Sequence, residues 1–270
     1  MMVRVAALQM TSGPKMDVNL EAFEVMVREA SARGAIFICS PENTDLLGLP
    51  ATDKLAKAHS EDGHPFLEAC VSLTKELGVW ISLGSIAIPD GQGKFYNRSY
   101  LFSPEGKIVA RYNKVHLFDV QLPDGEVLRE SAMVHAGNEA VIANTDFACV
   151  GLSVCYDVRF AYLYRSLAKR GAQIFLIPSA FTVSTGRQHW ETLVRARAIE
   201  TGGFVIAAAQ CGEHGNGRKT YGHSLIVSPW GKVLAEGSDV PGIHLADLDL
   251  DEVCAFRDAI PSLGHDRDIM

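Results

Sequence analysis

Apolar runs of strand length alternate along the chain with longer segments whose apolar residues recur at helical spacing. "VRVAALQM" (3–10) reads as a first strand, and "NLEAFEVMVREASARG" (19–34) as a helix that stops at Gly34. "AIFICSPEN" (35–43) reads as a strand ending at Glu42, "HPFLEACVSLTKELG" (64–78) as a helix and "VWISLGSIAI" (79–88) as a strand. "YNRSYLFSPEGKIVARYNKV" (96–115) reads as a hairpin turning at "SPEG". The pattern then returns. Strands are expected at 148–157, 172–181 and 204–212, helices at 160–171 and 189–202, and a second hairpin at 223–237 turning at "SPWG".

Several of these strands are apolar at nearly every position, as in sheets covered on both faces. Helices between strands, with hairpins interspersed, predict a layered α/β domain with mixed sheets. "LFSPEGKIVARY" and "IVSPWGKVLAEG" resemble each other, which suggests two related halves. No linker composition divides the chain, so residues 1–270 are expected to form a single domain.

Composition narrows the class of function. With 47% apolar and 21% charged residues among 270, the chain is an ordinary globule with room for a large core. A formal charge of -7 and no stripe of Lys and Arg argue against a nucleic-acid surface. No run approaches membrane-spanning length, and the N-terminus reads as a strand rather than a signal peptide, so a cytoplasmic protein is expected. The six cysteines are dispersed without a C-x-x-C pair, which indicates neither a zinc site nor a disulfide framework.

One cysteine is oddly placed. In "VGLSVCYDVRF" an apolar run meets Cys155 and then Tyr156, Asp157 and Arg159. A thiol at a strand's end is held rigidly yet open to substrate, as a nucleophile needs. His116, His189 and His223 lie near element ends and are candidate bases, but no Cys–His protease signature accompanies them. Glu42, also at a strand's end, is the alternative base, and Lys114, directly after a hairpin strand, would stabilise an oxyanion. The Tyr156 backbone N–H would complete the oxyanion hole. Singly, each residue has a plainer reading: a capping Glu42, a solvated Lys114, a small apolar Cys155.

Together, "SPENTDLLG", "RYNKVHLFD" and "SVCYDVRF" resemble the segments that carry the Glu–Lys–Cys triad of the nitrilase superfamily of carbon–nitrogen hydrolases. The likeness runs from the first strand to "IPSLGHDRD" and preserves the order Glu42, Lys114, Cys155. It implies a four-layer α-β-β-α sandwich with two mixed sheets, assembled into homodimers or larger homo-oligomers. It implies an amidase that needs no metal or organic cofactor, its partner a small-molecule amide. Glu42 takes the thiol proton, Cys155 attacks the carbonyl, Lys114 and the Tyr156 N–H hold the oxyanion, ammonia leaves a thioester, and Glu42 activates the water that releases the acid. "LRESAMVHAG" resembles the stretch bearing a second glutamate, here Glu130, which would orient Lys114 or the amide; its plain reading is a surface carboxylate.

"PSAFTVSTGRQHWETLVRARAIET" and "AAAQCGEHGNGRKTYGHS" resemble the branch containing deaminated glutathione amidase and omega-amidase, the former favoured, although Ala161 in "VRFAYL" is closer to the omega-amidase pattern. Such substrates carry a carboxylate or 2-oxo acid, which Arg159 is shaped to hold; its alternative is a salt bridge with Asp157. Phe181, Thr182, Ser184 and Thr185 are expected on a substrate-facing loop, with His189 and Trp190 opening the next helix by packing and capping, and Cys211 structural. Competing readings are a nitrile or N-carbamoyl hydrolase, a catalytically silent binding protein, and a redox sensor. For the last, Cys149 stands six residues from Cys155, roughly 20 Å along a strand and too far for a disulfide.

Overall fold

A computed structural model describes residues 1–122, 125 and 127–268. The first half of the chain forms β1 (Met2–Gln9), α1 (Met16–Ala32), β2 (Phe37–Cys39), α2 (Ala51–Lys57), α3 (Pro65–Leu77), β3 (Trp80–Pro89), β4 (Phe95–Phe102) and β5 (Ile108–Asn113). A small hairpin of β6 (Asp119–Gln121) and β7 (Val127–Arg129) follows. The second half forms β8 (Ile142–Asn144), β9 (Cys149–Leu152), α4 (Ala161–Lys169), β10 (Ile174–Leu176), α5 (Val183–Thr201) and β11 (Phe204–Ala207). It closes with β12 (Cys211–Glu213), β13 (Lys219–Tyr221), β14 (Leu225–Val227), β15 (Val233–Glu236), β16 (Gly242–Asp249) and α6 (Asp251–Ala259).

Two six-stranded sheets result, ordered β16-β1-β2-β3-β4-β5 and β15-β14-β11-β10-β9-β8. In each, three parallel strands are flanked by an antiparallel hairpin on one side and an antiparallel strand on the other. The repetition reaches single bonds. Gly106 N donates to Ser103 O, and Gly231 N to Ser228 O, both at 2.9 Å. The two turn glycines have φ of 75° and 74°, which an L side chain adopts only with strain. The related halves read from the two hairpins are thus present as a repeated topology.

Strand periodicity produces the layers. Along β1, Val3, Val5 and Ala7 enter a core shared with the second sheet, whereas Ala6 and Leu8 pack beneath α1 and α3 with Phe23, Val27, Phe66 and Leu73. On the far side, Leu163, Leu167, Trp190 and Val194 of α4 and α5 cover the second sheet. The order is helix, sheet, sheet, helix: the four-layer sandwich implied by the resemblance.

Four strand boundaries differ from expectation. The strand expected to reach Glu42 ends at Cys39, and the one expected to include Cys155 ends at Leu152. The third, expected over 172–181, keeps regular pairing only over Ile174–Leu176, and the fourth, expected over 204–212, ends at Ala207, with Cys211 opening the separate β12. Each apolar run outlasts its ladder because the residues beyond it stay buried while their backbone turns toward the neighbouring loops.

Candidate active site

The turns beyond the strand ends build the site. Cys155 begins a 3-10 turn over Cys155–Arg159 with φ of 50°, a left-handed conformation costly for a residue with a Cβ. Two anchors hold it: Cys155 N donates to Pro178 O at 2.8 Å, and the Asp157 carboxylate accepts from Val154 N at 2.8 Å and from Tyr112 OH at 2.7 Å. The Tyr156 N–H has no acceptor among the described residues.

Glu42 reaches the thiol from the first sheet and Lys114 from just beyond β5. Glu42, Lys114 and Cys155 are 3%, 2% and 8% exposed, so their charges act on one another with little water between them. Lys114 Nζ lies 2.9 Å from Glu42 Oε1 and 2.9 Å from Glu130 Oε2, which leaves its third N–H free. Asn97 Nδ2 donates to Glu42 Oε1 at 2.9 Å and to Glu130 Oε1 at 3.3 Å. Ala180 N donates to Glu42 Oε2 at 2.9 Å, and Phe118 N to Glu130 Oε2 at 2.6 Å. Glu130 is therefore an interior member of the cluster and not a surface carboxylate.

These contacts set the resting protonation. Burial alone would raise the Glu42 pKa, but the Lys114 charge and hydrogen bond, helped by Cys155 and Asn97, hold it below the ordinary 4.5. Burial opposes the charge on Lys114, yet Glu130 and Glu42 keep its pKa well above 10.5. Burial and the Glu42 carboxylate push the Cys155 thiol well above 9.0, against the pull of Lys114. At neutral pH the site holds a carboxylate, an ammonium and a neutral thiol. Proton transfer from sulfur to Glu42 becomes favourable only as the negative charge passes on to a bound electrophile.

Cys155 stands between two spaces. A cavity of ≈ 270 Å³ holds Glu42, Asn97, Lys114 and Glu130, with Lys54, Arg129 and Arg218 on its other walls. A narrow recess that adjoins it at Phe118, Cys155 and Ala180 is lined further by Tyr156, Phe181, Thr182 and Thr185. None of His116, His189 and His223 lines either space, so Glu42 is the only one of the candidate bases beside the thiol.

The expected substrate-facing residues divide. Phe181, Thr182 and Thr185 come to the recess beside Cys155. Only Phe181 and Thr182 precede the helix as expected of a loop, because α5 starts at Val183, six residues before the expected His189. Thr182 caps that helix by accepting from Thr185 N at 3.5 Å, and Ser184 and Thr185 lie in its first turn. His189 and Trp190 consequently sit inside the helix, with Trp190 Nε1 donating to His223 O at 2.6 Å. Arg159 lines neither space. Its guanidinium lies over the Phe181 ring at 5.6 Å and donates to His189 Nδ1 at 3.3 Å. The Asp157 alternative fails because that carboxylate is occupied within its own turn and by His116 N at 2.9 Å. Cys211 is buried with its sulfur 3.4 Å from Thr11 Oγ1.

Sequence reading missed Asn97 and Lys54. The signal for Asn97 was an amide at a buried strand position, where Asn is disfavoured unless it has partners. Lys54 lies on α2, whose seven residues carry too weak a pattern to announce a helix.

The carbon–nitrogen hydrolase family model matches residues 4–258. A deaminated glutathione amidase of Synechocystis sp. is 42% identical over 266 residues, covering 96% of each chain. The nitrilase and fragile histidine triad fusion protein of Caenorhabditis elegans superposes with a TM-score of 0.92 at 38% identity, over 98% of this chain and 65% of that longer one. Saccharomyces cerevisiae Nit3, of the nitrilase superfamily, superposes with a TM-score of 0.86 at 27% identity, over 96% and 94%.

Proposed function

We propose that this chain, which belongs to the carbon–nitrogen hydrolase family, is an amidase of small 2-oxo acid amides, with deaminated glutathione as its substrate. The carrying observation is the triad at the wall of one cavity: a thiol, a carboxylate kept ionised and a lysine bridging two glutamates. The likeness to deaminated glutathione amidases over nearly the whole chain supports the substrate.

In this reading Glu42 accepts the thiol proton while Cys155 Sγ bonds to the amide carbon. The oxyanion takes the free N–H of Lys114 and the N–H of Tyr156. Glu42 returns the proton to the amide nitrogen, the C–N bond breaks and a thioester remains. Water, deprotonated by Glu42, then attacks that carbonyl, the C–S bond breaks and the thiol is restored. The leaving group depends on the substrate. From 2-oxoglutaramate it is ammonia, but in deaminated glutathione the nitrogen belongs to a cysteinylglycine unit, so an amine departs instead. Glu130 acts as a positioning residue that shares Lys114 with Glu42. Among the described residues no helix is long and apolar enough to cross a membrane. We assign the reaction to the cytoplasm and to a homodimer or larger homo-oligomer, which size-exclusion chromatography with light scattering tests.

The test measures 2-oxo acid release from deaminated glutathione and ammonia release from 2-oxoglutaramate, with Cys155→Ala as control. Turnover of the first in preference to the second, lost in the variant, is expected. Preference for 2-oxoglutaramate makes the protein an omega-amidase. Equal turnover by wild type and Cys155→Ala would refute the mechanism.

A further inference from the structure

The cavity beside Cys155 contains a buried lysine, Lys54, in addition to Lys114. Lys54 is 8% exposed and forms no ion pair with any described residue. Its ammonium donates to Asn43 Oδ1 and lies 5.6 Å from the centre of the Phe95 ring. The nearby carboxylates are committed elsewhere. Asp45 accepts from Leu46 N at 2.7 Å and from Ala87 N at 2.9 Å, while Glu42 and Glu130 share Lys114 and Asn97. Two of the Lys54 N–H bonds are left to the cavity.

A charge taken out of water without a partner is costly, so its persistence in a ligand space indicates that a ligand anion completes it. The balance across the walls agrees: Lys54, Lys114, Arg129 and Arg218 stand against Glu42 and Glu130. This positive space belongs to a chain of formal charge -7.

Direction decides which part of the substrate enters. The departing nitrogen must receive its proton from Glu42, and Glu42 lines the large cavity but not the recess. The amine half of the amide therefore extends into the cavity that Glu42 shares with Lys54.

Building on the amidase reading above, we infer that Lys54 binds a carboxylate carried by the amine half of the substrate, so that the enzyme selects amides whose leaving amine is anionic, as a peptide-like tail is. Arg218, exposed at the cavity wall, adds attraction at the mouth. Ammonia, as a leaving group, would leave Lys54 unused.

The contact exists both before and during the reaction, so its loss is expected in KM with kcat preserved. The experiment compares deaminated glutathione with the analogue whose glycine carboxylate is a carboxamide. Wild type is expected to show a KM about tenfold or more higher for the carboxamide, the size of one charge-assisted hydrogen bond. Lys54→Met is expected to treat the two alike, and Lys54→Arg to retain the preference. Lys54→Gln provides a second neutral variant should Lys54→Met fail to fold. A wild type indifferent to the carboxylate, or a Lys54→Met that keeps the full preference, overturns the inference and leaves the amidase reading standing. Wild type inactive on deaminated glutathione overturns that reading, and the inference falls with it.

Discussion

Lys114 carries two functions that ordinary mutagenesis would confuse. Its ammonium is the electrostatic link between Glu42 and Glu130, and its free N–H is the donor available for an oxyanion. Lys114→Ala leaves the buried Glu42 carboxylate facing the half-buried one of Glu130, and breaking a buried ion pair costs about 3–5 kcal/mol. The same change is expected to lower kcat on the order of 100-fold or more. Lys114→Arg keeps the charge but spreads the donors over a planar fork, so stability should recover further than kcat. Thermal melts beside steady-state rates separate the two, and full recovery of kcat in Lys114→Arg would contradict the role given to a compact ammonium. Asn97 belongs to the same unit. Its amide must present Nδ2 to both glutamates, which leaves Oδ1 buried and turned from them, without a partner among the described residues.

The same interplay of distant residues operates between elements, where one glycine governs the position of Glu42. Gly84 lies on β3 at an irregularity between Leu83 and Ile86, and its N–H donates to Ser40 Oγ at 3.0 Å. A Cβ there would come within 2.1 Å of Ser40 O and 2.4 Å of Pro41 O, the backbone that leads into Glu42. Gly84→Ala is expected to cost about 1–3 kcal/mol by overpacking and to displace the base, so kcat should fall even at temperatures where the variant remains folded. An unchanged kcat would mean that Glu42 tolerates movement of its loop. Little of this was legible beforehand. The hairpins were, because each joins two β-rich runs through a Ser-Pro-x-Gly turn. The triad was legible through three local patterns, and its convergence required only that the strand ends share a rim. Lys54 and Arg159 were harder to place, because their roles depend on which neighbours face them across the fold. The early start of α5 was missed because Thr182 and its followers resemble a loop until the threonine is recognised as a cap.

The two halves meet beside Glu42 through buried polar contacts, and this makes the assembled molecule sensitive to acid. Ser12, just after β1, donates its N–H to Gln210 Oε1 at 2.9 Å, while Gln210 Nε2 donates to Ser12 Oγ at 2.8 Å and to Glu42 O at 3.1 Å. His214 extends this clasp, with Nδ1 2.8 Å from Ser12 O and Nε2 against Thr220 Oγ1 of β13. Gly48 packs on the same segment, where a Cβ would meet His214 O at 1.7 Å. Burial, with a smaller effect from Arg218, lowers the His214 pKa from 6.5 to about 4, against the Ser12 carbonyl, which favours the charged ring. Between those values the unfolded chain binds a proton that the folded one refuses, so this contribution is complete above 6.5 and lost as pH falls toward 4. A shift of that size corresponds to on the order of 3 kcal/mol. Unfolding free energy measured from pH 7.5 to 4 should therefore decline in wild type. In His214→Gln it should begin lower and decline less over the same interval, because the side chain no longer titrates. Glu42 is held ionised below 4.5, so activity lost reversibly above that pH would report loosening of the clasp rather than protonation of the base. Equal pH slopes for wild type and His214→Gln would instead place the acid sensitivity in the carboxylates.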